Sequence, residues 1–400
     1  MTTSRPTPFS LPTLLILSSL VACSDAPRWT GSFEMRDGIE IIYNPADPLL
    51  GEAQGFVSEL WGVQGSDWMD PTRVHVGSGS IIVADPPANQ IHVVSRSGDI
   101  RPSLGRAGGG PGEFLQLLDA FPDGDSLVVI DGGKGSVQYL ALDGTYLSSL
   151  HLEGQAWGGF PLGEGTLLVK GEFLSDPAAE SFGDWVRIGE GREPSAFTSQ
   201  PLVPLPEEEG VVCSDLSSWP GGAARMRFTT PQIQVFAPDG GLLMESRIDL
   251  PVEVVSDAER EAALSELRRT SAARGLPPEF IQQSLVVMEE RWRVKCRFGP
   301  LRFDPSGGLG AFLEQNPDEF GSGSATLHFI SQGGIYLARV AFPTAWRDFA
   351  MDAGVVYALT RNPTTDVIRL TAYRLSFPGS LLLDAAAALD DARRASSGEK

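Results

Sequence analysis

Four histidines are the first residues to consider for metal binding or acid–base chemistry. No two of them stand in an H-x-H or H-E-x-x-H spacing, which are patterns that bring imidazoles to one zinc ion. His92 and His328 occupy the same place in a short repeated pattern, where Gln138 and Gln234 stand in other copies. Equivalent side chains in different repeats point the same way but do not meet, so we interpret them as structural hydrogen-bonding groups and predict no metal ligands.

The most glycine-rich stretch is GRAGGGPGEF at Gly105–Phe114, which could be mistaken for a phosphate-binding loop. It lacks the Lys-Ser or Lys-Thr pair of a P-loop, and a strand pattern follows it. We therefore interpret it as a linker between two structural units. The sequence has no G-x-S-x-G and no C-x-x-C, and no spacing of serines and acids singles out a triad. No catalytic residue is predicted.

Short β-strands in a repeated unit must position any site. Gly79–Phe114 predicts three successive strands, because runs of β-branched residues are bounded by clusters of Pro, Asn and Gly. A core of one apolar, one polar and two apolar residues, followed by a turn glycine, recurs along the chain. Four copies are clear, a fifth is degenerate, and a sixth strand follows them. They are Ile91–Gly98, Val137–Gly144, Ile233–Gly240, Leu327–Gly334, Trp185–Ile188 and Ile368–Leu375.

A period of about 40–50 residues with several short strands is typical of a β-propeller. Six copies predict an all-β fold, a six-bladed β-propeller, over residues 33–382. One blade cannot bury both faces of its sheet alone, so the blades must pack in a closed ring. The last blade shows about three strands of its own, and the alternating segment Phe33–Tyr43 is predicted to complete it.

The segment VADPPANQIHVV at Val83–Val94 resembles the repeat of NHL-type propellers, with a longer turn that contains proline. The loop Gly105–Phe114 is similar to the link found in related bacterial six-bladed propellers of the lipoprotein type. The resemblance extends roughly from Ile41 to Phe377. It implies a fold much more than an activity, because one fold hosts many functions.

The N-terminus predicts export. One basic residue, Arg5, precedes the apolar stretch Phe9–Leu20, and residues 1–22 are therefore predicted to be a signal peptide. Leu20-Val21-Ala22-Cys23 resembles a bacterial lipobox, which implies cleavage before Cys23 and acylation of its thiol. The alternative is a plain signal peptide with a chance cysteine. With a lipid anchor, residues 23–32 would tether the propeller to a bacterial membrane, the outer membrane on its periplasmic or surface side.

The charge excludes some partners. The formal net charge is −20 at pH 7, and neutralising phosphates requires clustered Lys and Arg. We therefore expect no nucleic-acid partner, and contact with a membrane through the lipid anchor alone. We expect the propeller to be a monomer.

One helical insertion interrupts the period at about residues 256–294. Ser256 and Glu259 form a capping box before an apolar stripe, which predicts a helical hairpin between blades four and five. It could be a cover, or a lid or docking surface. Cys213 and Cys296 bracket it, and a disulfide between them is compatible with an oxidising compartment. Residues 383–400 are predicted to be a flexible tail.

The axis of the ring, where propellers usually bind ligands, is the best candidate site. The residues placed on the axis or at its mouth are Arg73, His75, Gln116, Asp119, Trp157, Trp219, Arg347 and Asp348. Two functions remain open. The first is a non-catalytic binding or scaffold module for a protein, peptide or glycan, with no cofactor. The second is an extracytoplasmic hydrolase or lyase, resembling the lactonases, with Ca²⁺ or Zn²⁺ held on the axis by residues of three or more blades.

Overall fold

The computed structural model describes residues 28–152, 154–163, 165–173, 184–189, 194–197, 214–273, 277–279, 281–282, 285–286, 295–304, 306, 308–315, 323–362 and 364–397. The predicted signal peptide, Cys23 and Cys213 lie outside these residues. Within the described part of the chain, no helix is long and apolar enough to cross a membrane.

The described chain is built almost entirely from short strands. Three N-terminal strands are β1 (Ser32–Arg36), β2 (Ile39–Asn44) and β3 (Val57–Val63). Blade one has β4 (Arg73–Gly77), β5 (Ser80–Asp85) and β6 (Gln90–Ser95), and blade two has β7 (Leu117–Asp123), β8 (Ser126–Asp131), β9 (Ser136–Ala141) and β10 (Tyr146–His151). Blade three has β11 (Gly154–Gly163), β12 (Thr166–Phe173), β13 (Asp184–Ile188) and β14 (Pro194–Ala196).

The second half of the chain continues in the same way. Blade four has β15 (Ser214–Trp219), β16 (Gly222–Arg227), β17 (Gln232–Phe236) and β18 (Leu242–Ile248). Blade five has β19 (Phe298–Asp304), β20 (Leu309–Gln315), β21 (Ala325–Ser331) and β22 (Tyr336–Phe342), and blade six has β23 (Trp346–Asp352), β24 (Val355–Arg361) and β25 (Ile368–Leu375). The α-helices described over their whole length are α1 (Asp257–Ala273) and α2 (Leu381–Ser397), and 3₁₀ turns cover Gln54–Phe56 and Pro86–Ala88. Residues 278–279, 281–282 and 285–286 are also helical.

The six blades form a closed ring, which confirms the predicted propeller. The first strand of each blade contacts the first strand of the next, and β23 returns to contact β4. Neighbouring strands within the blades are antiparallel, and residues 100–104 run along the outer edge of blade one through Leu104 N–H to Ile91 O at 2.8 Å. The turn glycines of the repeat have positive φ, for example 94° at Gly98 and 88° at Gly144, as tight hairpins require.

The strand that closes the ring is β3, and the prediction that Phe33–Tyr43 completes the last blade is wrong. Blade six has the strand order β23-β24-β25-β3, so a strand from before blade one supplies its outer edge. The strands β1 and β2 form a hairpin, and β2 pairs in parallel with β18 at the outer edge of blade four. Apolar and polar residues alternate in both Phe33–Tyr43 and β3, so the sequence does not indicate which blade edge each segment joins. The choice depends on long-range pairing.

The N-terminal segment therefore covers the outer edges of three consecutive blades. After the hairpin on blade four, residues 49–53 follow the edge of β22, where Leu50 donates to Leu337 O at 2.7 Å and Ala53 to Arg339 O at 2.9 Å. Next, β3 covers blade six. An open sheet edge invites pairing with other chains, so this segment protects three edges as well as closing the ring.

Both helices are attached outside the blades. The predicted capping box of α1 is present, because Ser256 Oγ accepts from Glu259 N–H at 3.3 Å and Glu259 accepts from Ser256 N–H at 2.8 Å. Most of the predicted second helix of the insertion lies outside the described residues. The expected flexible tail is instead helix α2 as far as Ser397. Its residues Leu381, Ala385 and Leu389 are buried in the largest hydrophobic cluster, because the helix packs against β1 and against the Gly308 and Gly333 turns of blade five.

Candidate functional site

The direction of the innermost strands gives the propeller two different ends. All six start at one end of the axis and finish at the other, where a turn leads into the second strand of each blade. Several of these turns carry a glycine with positive φ, such as Gly79, Gly221 and Gly354 at 74°, 75° and 71°. The α1 insertion connects the end of β18 to the start of β19. It is therefore attached at the opposite end from these turns, which we call the turn end.

A ring of charged side chains lies at one level of the axis. Arg73 pairs with Ala84, Asp119 with Ile130, Asp215 with Met226 and Asp348 with Leu359. In each case the partner is the fifth residue of the blade's second strand. Blades one, two, four and six therefore place a charged residue at the same height, and we call these four residues the axial ring.

Each carboxylate of the axial ring has its own cationic or imidazole partner. His75 donates from Nε2 to Asp119 Oδ1 at 2.9 Å. Arg302 donates from Nη2 to Asp348 Oδ1 at 2.7 Å, and Lys170 donates to Asp215 Oδ1 at 3.1 Å. Burial acts to raise the pKa of Asp119, but the nearby His75 and Arg73 outweigh it and lower that pKa. Asp119 and Asp348 are buried, so these contacts also lock the innermost strands together.

Arg73 is the remaining member of the axial ring, and its side chain is accessible to solvent. The innermost strands of the other blades still exclude part of the water around its guanidinium, which acts to lower the pKa of Arg73, but the charges of Asp348, Asp119 and Asp215 outweigh this effect and raise the pKa. Its guanidinium thus supplies a positive charge among three carboxylates. Among the described residues, no group of three or more His, Cys, Asp or Glu side chains has the arrangement of a metal site.

A cavity of about 460 Å³ occupies the axis at the turn end. All six blades contribute to its wall, which places it on the axis itself. Five blades each contribute an aromatic side chain to the wall, and the sixth contributes a methionine. These residues are His75, Phe121, Phe160, Trp219, Phe303 and Met351. Such a volume, with apolar walls and a few polar groups, is typical of a site for a small ligand or for part of a larger one.

Hydrogen bonds to neighbouring blades fix the polar side chains of the cavity. At the inner end of the cavity, His75 contacts Asp119 and Arg302 contacts Asp348 of the axial ring. Arg302 also donates from Nε to Phe349 O at 3.0 Å. The rings pack on one another, with centroids 5.7 Å apart for His75 and Phe121 and 4.7 Å apart for Trp219 and Phe303. Asp123 lies on the wall next to the Gly124 turn, and burial raises its pKa.

The structure brings together five of the eight residues placed on the axis from sequence. Arg73, Asp119 and Asp348 belong to the axial ring, while His75 and Trp219 line the cavity. The other three lie elsewhere.

Gln116 is exposed, and its backbone N–H donates to Asp131 Oδ1 at 3.0 Å. Trp157 is half-buried at a bulge in β11, and no described contact joins it to the cavity. Arg347 also sits at a bulge, which turns it outward to Asp70 and to Pro71 O at 2.9 Å. A bulge inserts one residue and re-aims its side chain, which a strand pattern does not reveal.

Sequence reasoning missed Asp215, Arg302 and the rings of blades two, three and five. For Asp215 a signal exists, because Arg73, Asp215 and Asp348 each stand six residues before the glycine of the following turn. Arg302 carries the same signal, since it stands six residues before Gly308, where φ is 65°. The longer first hairpin of blade five shifts its level, however, so Arg302 pairs with Ala311, the third residue of β20, and is not a member of the axial ring.

The repeated His and Gln positions have the structural role that was predicted for them. His92 and Gln138 contact Asp85 and Asp131, the last residues of the preceding strands, each at 3.3 Å. The same carboxylates accept backbone N–H groups of the linkers, as from Met69 to Asp85 at 2.7 Å. Each pair therefore ties a linker to its blade. In blades four and five, Gln234 contacts Glu245 at 3.1 Å and His328 contacts Glu314 at 2.7 Å.

The glycine-rich loop Gly105–Phe114 links blade one to blade two, as predicted. Glu113 Oε2 accepts from Gly110 N–H at 2.8 Å, and Lys134 donates to Glu113 O at 2.7 Å and Gly110 O at 3.0 Å. The loop's own carboxylate thus takes an N–H group that a phosphate would need.

Cys296 is disulfide-bonded. It lies between Lys295 and Arg297, which pair with Glu259 at 2.6 Å and Glu253 at 2.7 Å and so fasten the base of the insertion. Since Cys213 lies outside the described residues, the pairing of these two cysteines stays a prediction.

Comparison with known proteins agrees with this geometry. Residues 68–167 match the DUF5128 family, described as a 6-bladed beta-propeller. The chain is a six-bladed β-propeller. The matched part contains blade one, blade two and the start of blade three. The likeness to NHL-type repeats remains a resemblance.

Solved structures similar to this propeller share its fold at low sequence identity. One is a protein described as exported from Bacteroides fragilis, with 12% identity, a TM-score of 0.52 and coverage of 84% of this chain and 100% of its own. Another is a DUF4221 family member from Bacteroides vulgatus, with 9% identity, a TM-score of 0.52 and coverage of 81% and 100%. A streptogramin B lyase has 11% identity, a TM-score of 0.47 and coverage of 81% and 100%. The first two support the fold alone, and the third is too distant to support any argument. No curated protein matches the chain.

Proposed function

We propose that this propeller is an exported, lipid-anchored binding module whose ligand enters the axial cavity. The observation that carries the proposal is the convergence of all six blades on one cavity of about 460 Å³ with aromatic walls. A volume of this size accommodates a side chain or two of a peptide or protein, or a sugar ring of a glycan. The ligand is therefore a peptide, a glycan or a protruding segment of a protein.

The polar groups around the cavity support binding more than catalysis. Asp119, Asp215 and Asp348 each already hold a cationic or imidazole partner within 3.1 Å. Arg73 adds a further positive charge at their level. A hydrolase of the alternative kind needs carboxylates that are available to one central ion. Here the protein's own side chains supply the compensating charge.

The anchor is argued from the N-terminal sequence. A diacylated Cys23 would precede Trp29, the first residue with a described side-chain hydrogen bond to the propeller, by six residues. Trp29 donates to Asn44 at 3.0 Å beside blade four. Six extended residues span at most about 20 Å, so the edge of blade four would lie close to the membrane. The axial cavity would then remain open to the surrounding solvent.

The test compares the chain from Ser24 onward with two matched variants. Ser218→Trp places an indole in the cavity wall, whereas Ser58→Trp places one on exposed β3. Calorimetry and melting temperature are measured against defined tripeptides and oligosaccharides up to millimolar concentration. We expect a ligand that binds the wild type and Ser58→Trp but not Ser218→Trp.

Two results would overturn the proposal. One is that no peptide or oligosaccharide of the panel binds the wild type. The other is tightly held calcium or zinc, a melting temperature that falls on adding EDTA, and lactone hydrolysis that Asp119→Asn abolishes. That second result would establish the metal-dependent enzyme instead.

A further inference from the structure

Aromatic rings surround the cavity in a way that no single blade could arrange. Blades one to five each contribute one aromatic residue, and blade six contributes Met351. His75 and Phe303 are partly exposed to the cavity, whereas Phe121 is fully buried behind the wall. Trp219 is 5% exposed and packs against Phe303, so its indole is fixed in the wall. The face of an aromatic ring attracts a cation within about 6 Å of its centroid, and tryptophan does so most strongly.

One carboxylate on the cavity wall lacks a cationic partner. Asp123 lies next to the Gly124 turn, and no described residue donates a hydrogen bond or forms an ion pair with its side chain. Burial raises its pKa, because its charged form loses water without gaining a cation. The neighbouring Asp125 belongs to the same turn but is exposed and does not line the cavity.

The two basic side chains that line the cavity, Arg302 and His75, already have partners, and Arg73 lies among the three carboxylates of the axial ring. Arg302 uses Nε for Phe349 O, Nη1 for Leu301 O at 3.2 Å and Nη2 for Asp348. His75 is engaged with Asp119 at 2.9 Å. Asp123 therefore gives the cavity an uncompensated negative charge, in a protein whose net charge of −20 draws cations toward it.

We infer that the axial cavity binds a positively charged amine carried on a compact apolar or aromatic group, with the ammonium beside Asp123 and the rings. This inference rests on the proposed function and specifies its ligand class. The accessible parts of His75, Phe303 and Trp219 would contact the apolar part and the cation, and Asp123 would supply the counter-charge. A lysine side chain or the amino terminus of a peptide has this chemistry. A divalent ion does not match, since it prefers several oxygen ligands and this wall is largely apolar.

The experiment uses three probes of nearly equal shape: phenethylammonium, 2-phenylethanol and phenylacetate. Each is titrated calorimetrically into the chain from Ser24 onward. We expect phenethylammonium to bind on the order of tenfold more tightly than the alcohol, as cation–π and carboxylate contacts predict. Phenylacetate should bind most weakly, because its charge is repelled by Asp123.

Variants locate the effect. Asp123→Asn should remove most of the preference for the amine over the alcohol, while the matched control Asp125→Asn should leave it unchanged. Trp219→Leu should weaken the binding of phenethylammonium. Trp219→Phe keeps a ring in the same place and should retain part of the affinity that Trp219→Leu loses. Circular dichroism and melting temperature show that each variant is folded.

The outcomes separate this inference from the proposed function. If the amine and the alcohol bind equally and Ser218→Trp blocks both, the cavity binds ligands but the inferred charge preference is wrong. If none of the three probes binds, the inference is wrong. If the tripeptides and oligosaccharides do not bind either, the proposed function is wrong as well. If Asp125→Asn removes the preference as Asp123→Asn does, the assignment of Asp123 is overturned.

Discussion

His75 Nε2 lies 2.9 Å from Asp119 Oδ1, and this contact joins the innermost strands of blades one and two where the axial ring meets the cavity. The imidazole packs on Phe121 in the same wall, and Asp119 also accepts the Ala120 N–H at 2.9 Å. One buried carboxylate thus fixes both the shape of the cavity and the junction of two blades. The same residue serves stability and the ligand site.

Replacing Asp119 with Asn should destabilise the propeller at neutral pH by about 1–3 kcal/mol, because a buried charged hydrogen bond is lost. The pKa of Asp119 is lowered in the folded state. Its contribution is therefore present above the unfolded pKa of about 3.9 and disappears as the pH falls through the folded value. Urea unfolding at pH 7 and at decreasing pH checks this.

The exposed Asp125→Asn is the control for that series and should change little. A difference between wild type and Asp119→Asn that stays constant down to the lowest pH would contradict the assigned role of the charge.

His328 should make the propeller sensitive to mild acid. Burial, and then the charges of Arg339 and Arg297, lower the pKa of His328 to about 3. Between that value and the unfolded pKa of about 6.5, the unfolded chain binds one more proton, so stability falls as the pH falls, by up to about 1.4 kcal/mol per pH unit. Denaturant midpoints from pH 7 to pH 4 measure this slope.

His328→Gln should reduce that slope, because glutamine cannot be protonated there and the equivalent residue of blade two is Gln138. Exposed His151→Gln should leave the slope as in the wild type. Equal slopes for all three proteins would show that His328 is not the group that resists protonation.

The C-terminal helix α2 should contribute measurably to stability. Leu389 is 4% exposed and Leu383 is 72% exposed on the same helix. Leu389→Ala should lower the free energy of unfolding by about 2–4 kcal/mol, whereas Leu383→Ala should change it by less than about 0.5 kcal/mol. Equal and negligible effects on the urea midpoint would indicate the flexible tail that sequence suggested.

Two truncations should separate closure of the ring from protection of its edges. A chain that starts at residue 46 lacks β1 and β2 but keeps β3, so it should fold as a ring with a lower melting temperature and a greater tendency to associate. A chain that starts at residue 64 lacks the fourth strand of blade six and should fail to form a stable monomer. Size-exclusion chromatography and melting curves distinguish the two. If both truncations behave alike, β3 does not close the ring.

The sequence by itself determined the local features of the repeat. Gly98, Gly144, Gly240 and Gly334 are predicted as tight turns, and the structure gives them φ values of 94°, 88°, 93° and 81°. The capping box of Ser256 and Glu259 is equally local. Such features depend on residues a few positions apart, and their count and spacing were enough to specify six blades.

Tertiary structure alone decided which strand closes the ring and which side chains meet on the axis. Phe33–Tyr43 and Val57–Val63 are both plausible outer strands, and the choice between them depends on pairing with β18 and β25, hundreds of residues away. Bulges turned Arg347 away from the axis, and the ring brought Asp215 and Arg302 toward it. Sequence patterns specify local conformation, but a site built from six blades exists only once long-range pairing has closed the ring.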